Sequence, residues 1–331
     1  MALRHKKVAA VEDSINQSFQ NLTDKELFEF SDFDEGAAER TGYSNYSYWR
    51  STFQVFLKNK LAVFLLFLIG IILLFTFIQP ILPGQRSATQ IFNNASGMQL
   101  RNLQPGSEFW FGTNSIGQDL WSRVWSGTRT SLLIGFAVAL SEAVLGILMG
   151  ILWGYVRKLD RILTEIYNVL DNIPQTVVLI LFSYIMRPSV STLIFAMCLT
   201  GWLDMARFIR NQIVIIRDRD YNLASRCLGT PTRRIMLRNL LPYLVSVIML
   251  RMALAIPAAI GNEVFLTYIG LGLPVSIPSL GNLINEGRVL MTSAALRYQL
   301  FFPAIALSVV TISFYIIGNA FADASDPKNH V

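Results

Sequence analysis

The sequence contains few charged residues, two cysteines and two histidines. Only 15% of its 331 residues are charged and 53% are hydrophobic, whereas soluble globular domains are about 25% charged. His5 and His330 lie at the ends of the chain, so a histidine-based catalytic site would have to be built from the tails. Cys198 and Cys227 match no zinc spacing, and we expect no disulfide between them. We therefore expect an integral membrane protein with no catalytic, cofactor-binding or metal site.

The sequence also lacks a nucleotide-binding fingerprint. It has no G-x-x-x-x-G-K-[ST] stretch that could cradle phosphates, so any ATP that drives this protein must be hydrolysed by other chains. The net charge of +6 does not indicate nucleic-acid binding, because the basic residues cluster beside apolar segments. Such clusters are typical of membrane topology, in which basic residues mark the cytoplasmic loops.

Six apolar segments are long enough to span a bilayer, and they predict an all-α integral membrane fold with six transmembrane helices. They comprise residues 61–78, 131–156, 162–186, 189–205, 243–268 and 298–322. Pro174 and the pair Asp171-Asn172 interrupt the third segment. Close helix contacts are predicted at four glycines of the second segment: Gly135, Gly146, Gly150 and Gly154.

An even number of spans places both termini on one side of the membrane. The arginine-dense stretch 207–242 and the basic residues from Arg157 to Arg161, predicted to form a short turn, fall on that same side. The excess of basic residues assigns this side to the cytoplasm, so the polar tail 1–48 and the tail 323–331 are predicted to be cytoplasmic. The predicted outer segments are residues 84–130 and 270–296.

The arginine-dense stretch has the pattern of a docking element. Residues 219–228 are predicted to form a short helix that ends at Gly229, in the left-handed conformation that glycine adopts easily. Thr230 is predicted to cap a second helix, with Pro231 at its first position, where a missing N–H is harmless. One face of the first helix combines residues at i, i+3, i+4 and i+7, namely Tyr221, Ala224, Ser225 and Leu228.

This stretch resembles the cytoplasmic loop of importer permeases of the ATP-binding-cassette class. That loop carries Glu-Ala-Ala, three residues, Gly and a later Leu-Pro, and the matching residues here are Leu223-Ala224-Ser225, Gly229 and Leu241-Pro242. Leu223 replaces the glutamate of the family and Ser225 replaces its second alanine. An apolar contact with a partner could replace the acid at Leu223, or this side chain could pack beneath the loop.

Three further motifs extend the resemblance over roughly residues 45–331. The segment before the permease core of dipeptide and oligopeptide transporters resembles Phe111-Gly112-Thr113, Gly117, Asp119, Ser122-Arg123, Gly127 and Arg129. Their fifth-helix exit resembles Glu263, Gly270-Leu271-Gly272 and Pro278-Ser279-Leu280-Gly281, and their C-terminal motif resembles Asn319, Asp323, Asp326 and Pro327. The likeness is to the second permease subunit of Gram-positive oligopeptide importers.

The resemblance implies a type I importer permease that moves oligopeptides and is not itself an enzyme. Its partners would be a second homologous permease, two ATP-binding subunits, an extracellular peptide-binding lipoprotein and membrane lipid. The chain would divide into the tail 1–48, a first helix with an extracellular loop at 49–127, a core at 128–322 and the tail 323–331. The implied coupling residues are Tyr221, Leu223, Ala224, Ser225, Leu228, Gly229, Thr230 and Pro231.

Four ionisable residues are predicted to lie deep in the apolar segments: Glu142, Asp171, Arg251 and Glu263. Charges in hydrocarbon are costly and usually face the bundle interior, a partner or water. Glu263, Asp171 and Arg251 are our candidates for the pathway or gate, and Arg251 could pair with one of the acids. Glu263 matches a family position, where it would order the gate or bind the amino terminus of a peptide. Glu165 and Asp204 lie near predicted cytoplasmic ends and are expected to be solvated.

Other functions stay open at this point. Importers of dipeptides or nickel complexes share the same motifs, so the chain does not separate these substrates from oligopeptides. An ion-coupled secondary transporter would act without ATPases and would need a coupled acid pair in the membrane. A proton relay is disfavoured because no histidine accompanies the buried acids. A membrane scaffold with no pathway is the third alternative.

Overall fold

The computed structural model describes residues 48–325. The predicted N-terminal tail, apart from Tyr48, and residues 326–331 of the predicted C-terminal tail lie outside the described residues. The same holds for both histidines and for Asp326 and Pro327 of the C-terminal motif.

Helices make up most of the described chain, as the apolar segments predict. In chain order they are α1 (Tyr48–Lys58), α2 (Lys60–Ile78), α3 (Leu120–Tyr155), α4 (Arg157–Asp171), α5 (Gln175–Ile185), α6 (Val190–Arg217), α7 (Asp220–Cys227), α8 (Thr232–Ile235), α9 (Leu241–Tyr268), α10 (Leu280–Val289) and α11 (Tyr298–Ser325). A π-helical turn, Met236–Leu240, joins α8 to α9. Within residues 48–325, β-pairing is confined to isolated bridges between residues 91 and 119. The all-α prediction is confirmed.

Five of these helices are long and apolar enough to cross a membrane, and α4 with α5 makes a sixth crossing if the bent pair is one span. The two helices meet at 70°, so the third predicted span, 162–186, is bent close to the residues that interrupt it in the sequence. Pro174 lies at the N-cap of α5, where its ring and missing N–H prevent α4 from continuing. The prediction for Arg157 to Arg161 is wrong, because these residues form the first turns of α4 and not a connecting turn.

Helix α3 is the long central element, and α6 packs along it. It has 36 residues and begins at Leu120, well before the predicted start at residue 131. Asp119 caps it by accepting hydrogen bonds from the Ser122 backbone N–H at 3.2 Å and the Ser122 hydroxyl at 2.6 Å. Because this cap lies before the apolar run, hydropathy alone placed the start too late.

The predicted close contacts at the α3 glycines are confirmed. A Cβ atom at Gly150 would lie 2.6 Å from the carbonyl oxygen of Ala206, and one at Gly154 would lie 2.9 Å from that of Arg210. The two backbones therefore approach more closely than any larger residue at these positions would allow.

The ends of α3 define two ends of the bundle. The C-terminal end of α3 packs against α6 close to α7, and we call this end of the bundle the α7 end. The N-terminal end of α3 meets α10, which also packs against α9 and α11, and we call this the α10 end. The Phe111 ring stacks on the Phe302 ring with their centroids 3.8 Å apart, and its centroid lies 4.8 Å from that of the Trp121 ring. Aromatic packing therefore holds the segment before α3 against α11.

Candidate functional site

The short helix α7 ends as the sequence predicts. Gly229 has φ +77°, the left-handed conformation expected of it. Its N–H donates to the Arg226 carbonyl at 2.9 Å, and the Thr230 N–H donates to the Ser225 carbonyl at 3.0 Å. These two bonds form a Schellman motif, which satisfies the last carbonyl groups of the helix and reverses the chain direction.

The next element differs from the prediction. Pro231 occupies the N-cap of α8 and Thr232 is its first residue, so Thr230 is not the cap. No side chain caps α8. Helix α8 has only four residues and continues through the π-helical turn into α9. The loop is therefore one short helix followed by the first turns of a membrane span, and not two separate helices. Residues 207–217 of the predicted loop belong to α6.

Hydrogen bonds to backbone groups fasten α7 to the bundle. The fully buried Asn222 donates to the Ile216 carbonyl at 2.9 Å, and Arg226 donates to the Arg217 carbonyl at 2.7 Å. Arg217 in turn donates to the Gly154 carbonyl of α3 at 2.6 Å. These bonds join α7 to the C-terminal end of α6, and Arg217 joins that end of α6 to α3.

A carboxylate surrounded by arginines lies at the same corner. Asp218 is 3.2 Å from Arg217, 3.5 Å from Arg157 and 3.6 Å from Arg226. The Arg226 guanidinium also lies 5.3 Å from the centroid of the Tyr155 ring. Single exposed ion pairs contribute little, but this cluster joins Arg226 of α7 to Asp218 at the end of α6 and to Arg157 at the start of α4 through the same carboxylate.

The outer face of α7 carries exposed apolar side chains. Leu228 is 86% exposed, Tyr221 is 50% exposed and Leu223 is 43% exposed. Leu223 therefore does not pack beneath the loop. Ala224 is exposed as well, whereas Ser225 is half-buried and its hydroxyl donates to the Tyr221 carbonyl at 2.8 Å. This arrangement leaves an apolar patch on a short, firmly attached helix.

The structure does not bring the three pathway candidates together. Asp171 is exposed at the end of α4 and pairs with Arg207 at 3.3 Å. Arg251 lines a cavity between helices, where its guanidinium lies 4.4 Å from the centroid of the Phe208 ring. Glu263 is fully buried and does not line that cavity. Arg251 forms no ion pair within residues 48–325, so the expected pairing with an acid is absent from this part of the chain.

Glu263 connects three helices. Its carboxylate accepts from the Ser279 hydroxyl at 2.7 Å, the Thr267 hydroxyl at 3.1 Å and the Ser131 hydroxyl at 3.4 Å. The carboxylate thus lies at the N-terminus of α10, where exposed N–H groups favour a negative charge. Glu263 of α9 thereby fixes α10 against α3.

A buried ion pair near the α10 end was not identified from the sequence. Arg123, fully buried, contacts Glu286 at 2.7 Å and also donates to Gln118. Glu286 also accepts from Asn114 at 3.5 Å. Burial raises the pKa of the Glu286 carboxyl, and the charge of Arg123 opposes that shift. Arg123 belongs to a quoted family motif, but its partner lies 163 residues away and no local pattern connects the two.

Comparison with known proteins assigns the family. Residues 143–331 match the family described as the binding-protein-dependent transport system inner membrane component. Residues 47–105 match the N-terminal transmembrane domain of oligopeptide transport permease C. The chain belongs to the binding-protein-dependent permease family. This membership, together with the apolar helices, identifies a multi-pass membrane protein with an all-α permease fold.

Relatives of this permease align over nearly the whole chain. It is 40% identical over 310 residues to the oligopeptide transport system permease protein AmiD of Streptococcus pneumoniae, and this alignment covers 93% of this chain and 98% of that protein. It is 33% identical over 314 residues to the oligopeptide transport system permease protein OppC of Bacillus subtilis, covering 93% and 99% of the two chains. The dipeptide transport system permease protein DppC of Bacillus subtilis is 37% identical over 283 residues, covering 85% and 86%. The permease is a membrane component of a transport system and not an enzyme.

Proposed function

We propose that this permease is a subunit of an ATP-driven importer that moves oligopeptides into the cell. The observation that supports this most is the alignment with an oligopeptide permease at 40% identity over 98% of that relative. Two oligopeptide permeases match over 93% of this chain, whereas the dipeptide permease matches over 85%. Dipeptide transport is the second candidate, favoured by the 37% identity to that relative.

Coupling to ATP hydrolysis would pass through α7. The apolar patch of Tyr221, Leu223 and Leu228 would dock in a groove of an ATP-binding subunit, with Ala224, Ser225, Gly229, Thr230 and Pro231 shaping the elbow. The bonds from Asn222 and Arg217 support this proposal, because they connect α7 to α6 and α3. Closure of the ATP-binding subunits would then shift these helices and switch the access of the pathway.

The complete transporter would contain a second homologous permease, two ATP-binding subunits and an extracellular peptide-binding lipoprotein within membrane lipid. The α7 end would face the cytoplasm, together with both termini, because the arginines concentrate there. We retain the division into 1–48, 49–127, 128–322 and 323–331 as part of this proposal, with Glu263 and Asp171 in supporting positions and Arg251 on the pathway.

Reconstitution tests this function directly. The chain is co-expressed with the genes adjacent to its own, purified and placed in proteoliposomes with a labelled pentapeptide, a labelled dipeptide or a nickel complex. We expect uptake of the pentapeptide that requires ATP, the ATP-binding subunits and the binding protein. Uptake by the purified chain alone, driven by an ion gradient, would establish a secondary transporter instead. ATP-driven uptake of only the dipeptide or the nickel complex would reassign the substrate within the family.

A further inference from the structure

Three charged side chains without ion-pair partners share one cavity in the middle of the bundle. Glu142 of α3, Asp204 of α6 and Arg251 of α9 line a cavity of about 280 Å³. None of the ion pairs among residues 48–325 involves any of the three. Charges held within membrane helices are costly and normally mark a substrate or ion pathway. Three of them around one cavity therefore indicate a binding site.

The cavity also carries neutral polar groups. Gln175, Asn262 and Tyr315 line it from α5, α9 and α11. Asp204 and Arg251 are exposed and Glu142 is half-buried, so all three charges remain accessible to a ligand. Asp204 accepts a hydrogen bond from the Tyr167 hydroxyl at 3.5 Å, which leaves most of its acceptor capacity unused.

A glycine makes room for the acid pair. A Cβ atom at Gly201 would overlap with Oε1 of Glu142. Gly201 and Asp204 are three residues apart on α6 and share a face of that helix. The Glu142 carboxylate is therefore seated beside the turn of α6 that presents Asp204, which places two acids on the same side of the cavity.

We propose that this cavity binds the amino-terminal end of the transported peptide. Glu142 and Asp204 accept from its free α-ammonium group, and Arg251 donates to the carbonyl oxygens of its first peptide groups. The cavity volume is just under the range of about 300–1,000 Å³ that is common for small-molecule sites, which suits one or two residues and not a whole peptide. Every peptide carries these groups, so such a site permits transport of diverse sequences. This inference rests on the proposed function.

Two methionines of the cavity allow a direct test. Met197 and Met205 line it, and benzophenone probes react readily with methionine side chains. The complete transporter in proteoliposomes is supplied with ATP, binding protein and a pentapeptide carrying p-benzoylphenylalanine at either its first or its last position. After irradiation, we expect the first-position probe to label Met197 or Met205, and the last-position probe to label neither.

Substitution of the acids should remove this labelling. Asp204→Asn and Glu142→Gln each delete a charge-assisted hydrogen bond, so labelling and uptake should fall by at least about tenfold. The matched control is Glu165→Gln, which changes an exposed acid of α4 that does not line the cavity and should leave both unchanged. Gly201→Ala should act like Glu142→Gln, because it displaces that carboxylate.

The outcomes separate this inference from the function on which it rests. If the unmodified transporter imports the peptide but Asp204→Asn retains full labelling and uptake, the site assignment is overturned. Labelling outside the cavity by the first-position probe overturns it as well. If the unmodified transporter imports no peptide at all, the proposed function fails. Should Glu142→Gln not assemble, Asp204→Asn decides the matter alone, because Asp204 is exposed.

Discussion

Gly281 lies directly against the carboxylate of Glu263. A Cβ atom at position 281 would stand 2.6 Å from Oε1 and 3.0 Å from Oε2 of that side chain. The fully buried carboxylate can approach the first turn of α10 only because this residue has no side chain. The two positions, 263 on α9 and 281 on α10, therefore depend on each other.

Replacement of this glycine should loosen the α10 end. Gly281→Ala forces the Glu263 carboxylate away from Ser279 and should destabilise the protein by about 1–3 kcal/mol, the usual penalty of overpacking. The measurement is thermal unfolding of the purified chain in detergent. Gly261→Ala is the matched control, since a Cβ atom there meets nothing within 4 Å and no loss of stability is expected. Equal midpoint temperatures of thermal unfolding for Gly281→Ala and Gly261→Ala would contradict a stabilising contact between Glu263 and α10.

The buried pair of Arg123 and Glu286 should be sensitive to removal of one partner. Arg123→Met leaves Glu286 partly buried without its cation, which should cost about 3 kcal/mol, and replacing both residues by methionine should recover most of that loss. Thermal unfolding of the single and double variants gives the comparison. A double variant no more stable than Arg123→Met would argue against the ion pair as the cause.

The same variant should respond to pH with a definite sign. The pKa of Glu286 is already raised by burial, and loss of Arg123 raises it further. A carboxyl with a raised pKa in the folded state contributes stability while it is protonated, and that contribution is lost as the pH rises through the folded pKa. The deficit of Arg123→Met relative to the unmodified chain should therefore shrink at mildly acidic pH. A deficit that is the same at acidic and alkaline pH would refute this assignment.

The elbow after α7 should tolerate asparagine but not valine. Gly229 has φ +77°, a conformation that costs about 1–2 kcal/mol for residues with a Cβ atom and is worst for β-branched ones. Gly229→Val should keep the chain in the membrane but uncouple ATP hydrolysis from uptake, whereas Gly229→Asn should retain most uptake. The ratio of ATP hydrolysed to peptide imported is the measurement. Normal uptake by Gly229→Val would count against docking through α7.

The most exposed side chain of the apolar patch should matter for binding and not for folding. Leu228→Ala should weaken capture of the ATP-binding subunits by about tenfold, equivalent to about 1.5 kcal/mol for burying a leucine, with no change in thermal stability. The control is Leu237→Ala, a leucine that is 48% exposed outside α7 and should leave capture unchanged. If Leu228→Ala captures the ATP-binding subunits as well as Leu237→Ala does, Leu228 does not contribute to the contact with those subunits.

The orientation in the membrane can be read at Thr230. With Cys198 and Cys227 replaced by serine, Thr230→Cys should react with a membrane-impermeant thiol reagent only in inside-out vesicles. The accessible surface around Gly229 makes this position suitable for labelling. Reaction in right-side-out cells would reverse the proposed topology.

The sequence by itself determined the class of the protein, most of its spans and the end of α7. Long apolar runs specify membrane helices, and a glycine after a short amphipathic helix specifies a left-handed stop, because both depend on residues close together in the chain. Hydropathy predicted the start of α3 too late, because the Asp119 cap lies before the apolar run. The sequence indicated an interruption at Pro174 but not the 70° angle between the two helices, because hydropathy averages over the break.

Only the tertiary structure decided which charged residues meet. Glu263 and Arg251 look alike in the sequence as isolated charges in one apolar segment, yet one is fully buried against α10 and the other lines a cavity with Glu142 and Asp204. Arg123 finds its partner 163 residues away. Such contacts depend on how closely the helices approach, which glycines such as Gly201 and Gly281 permit. Local patterns do not encode that distance, because it results from the packing of several helices at once.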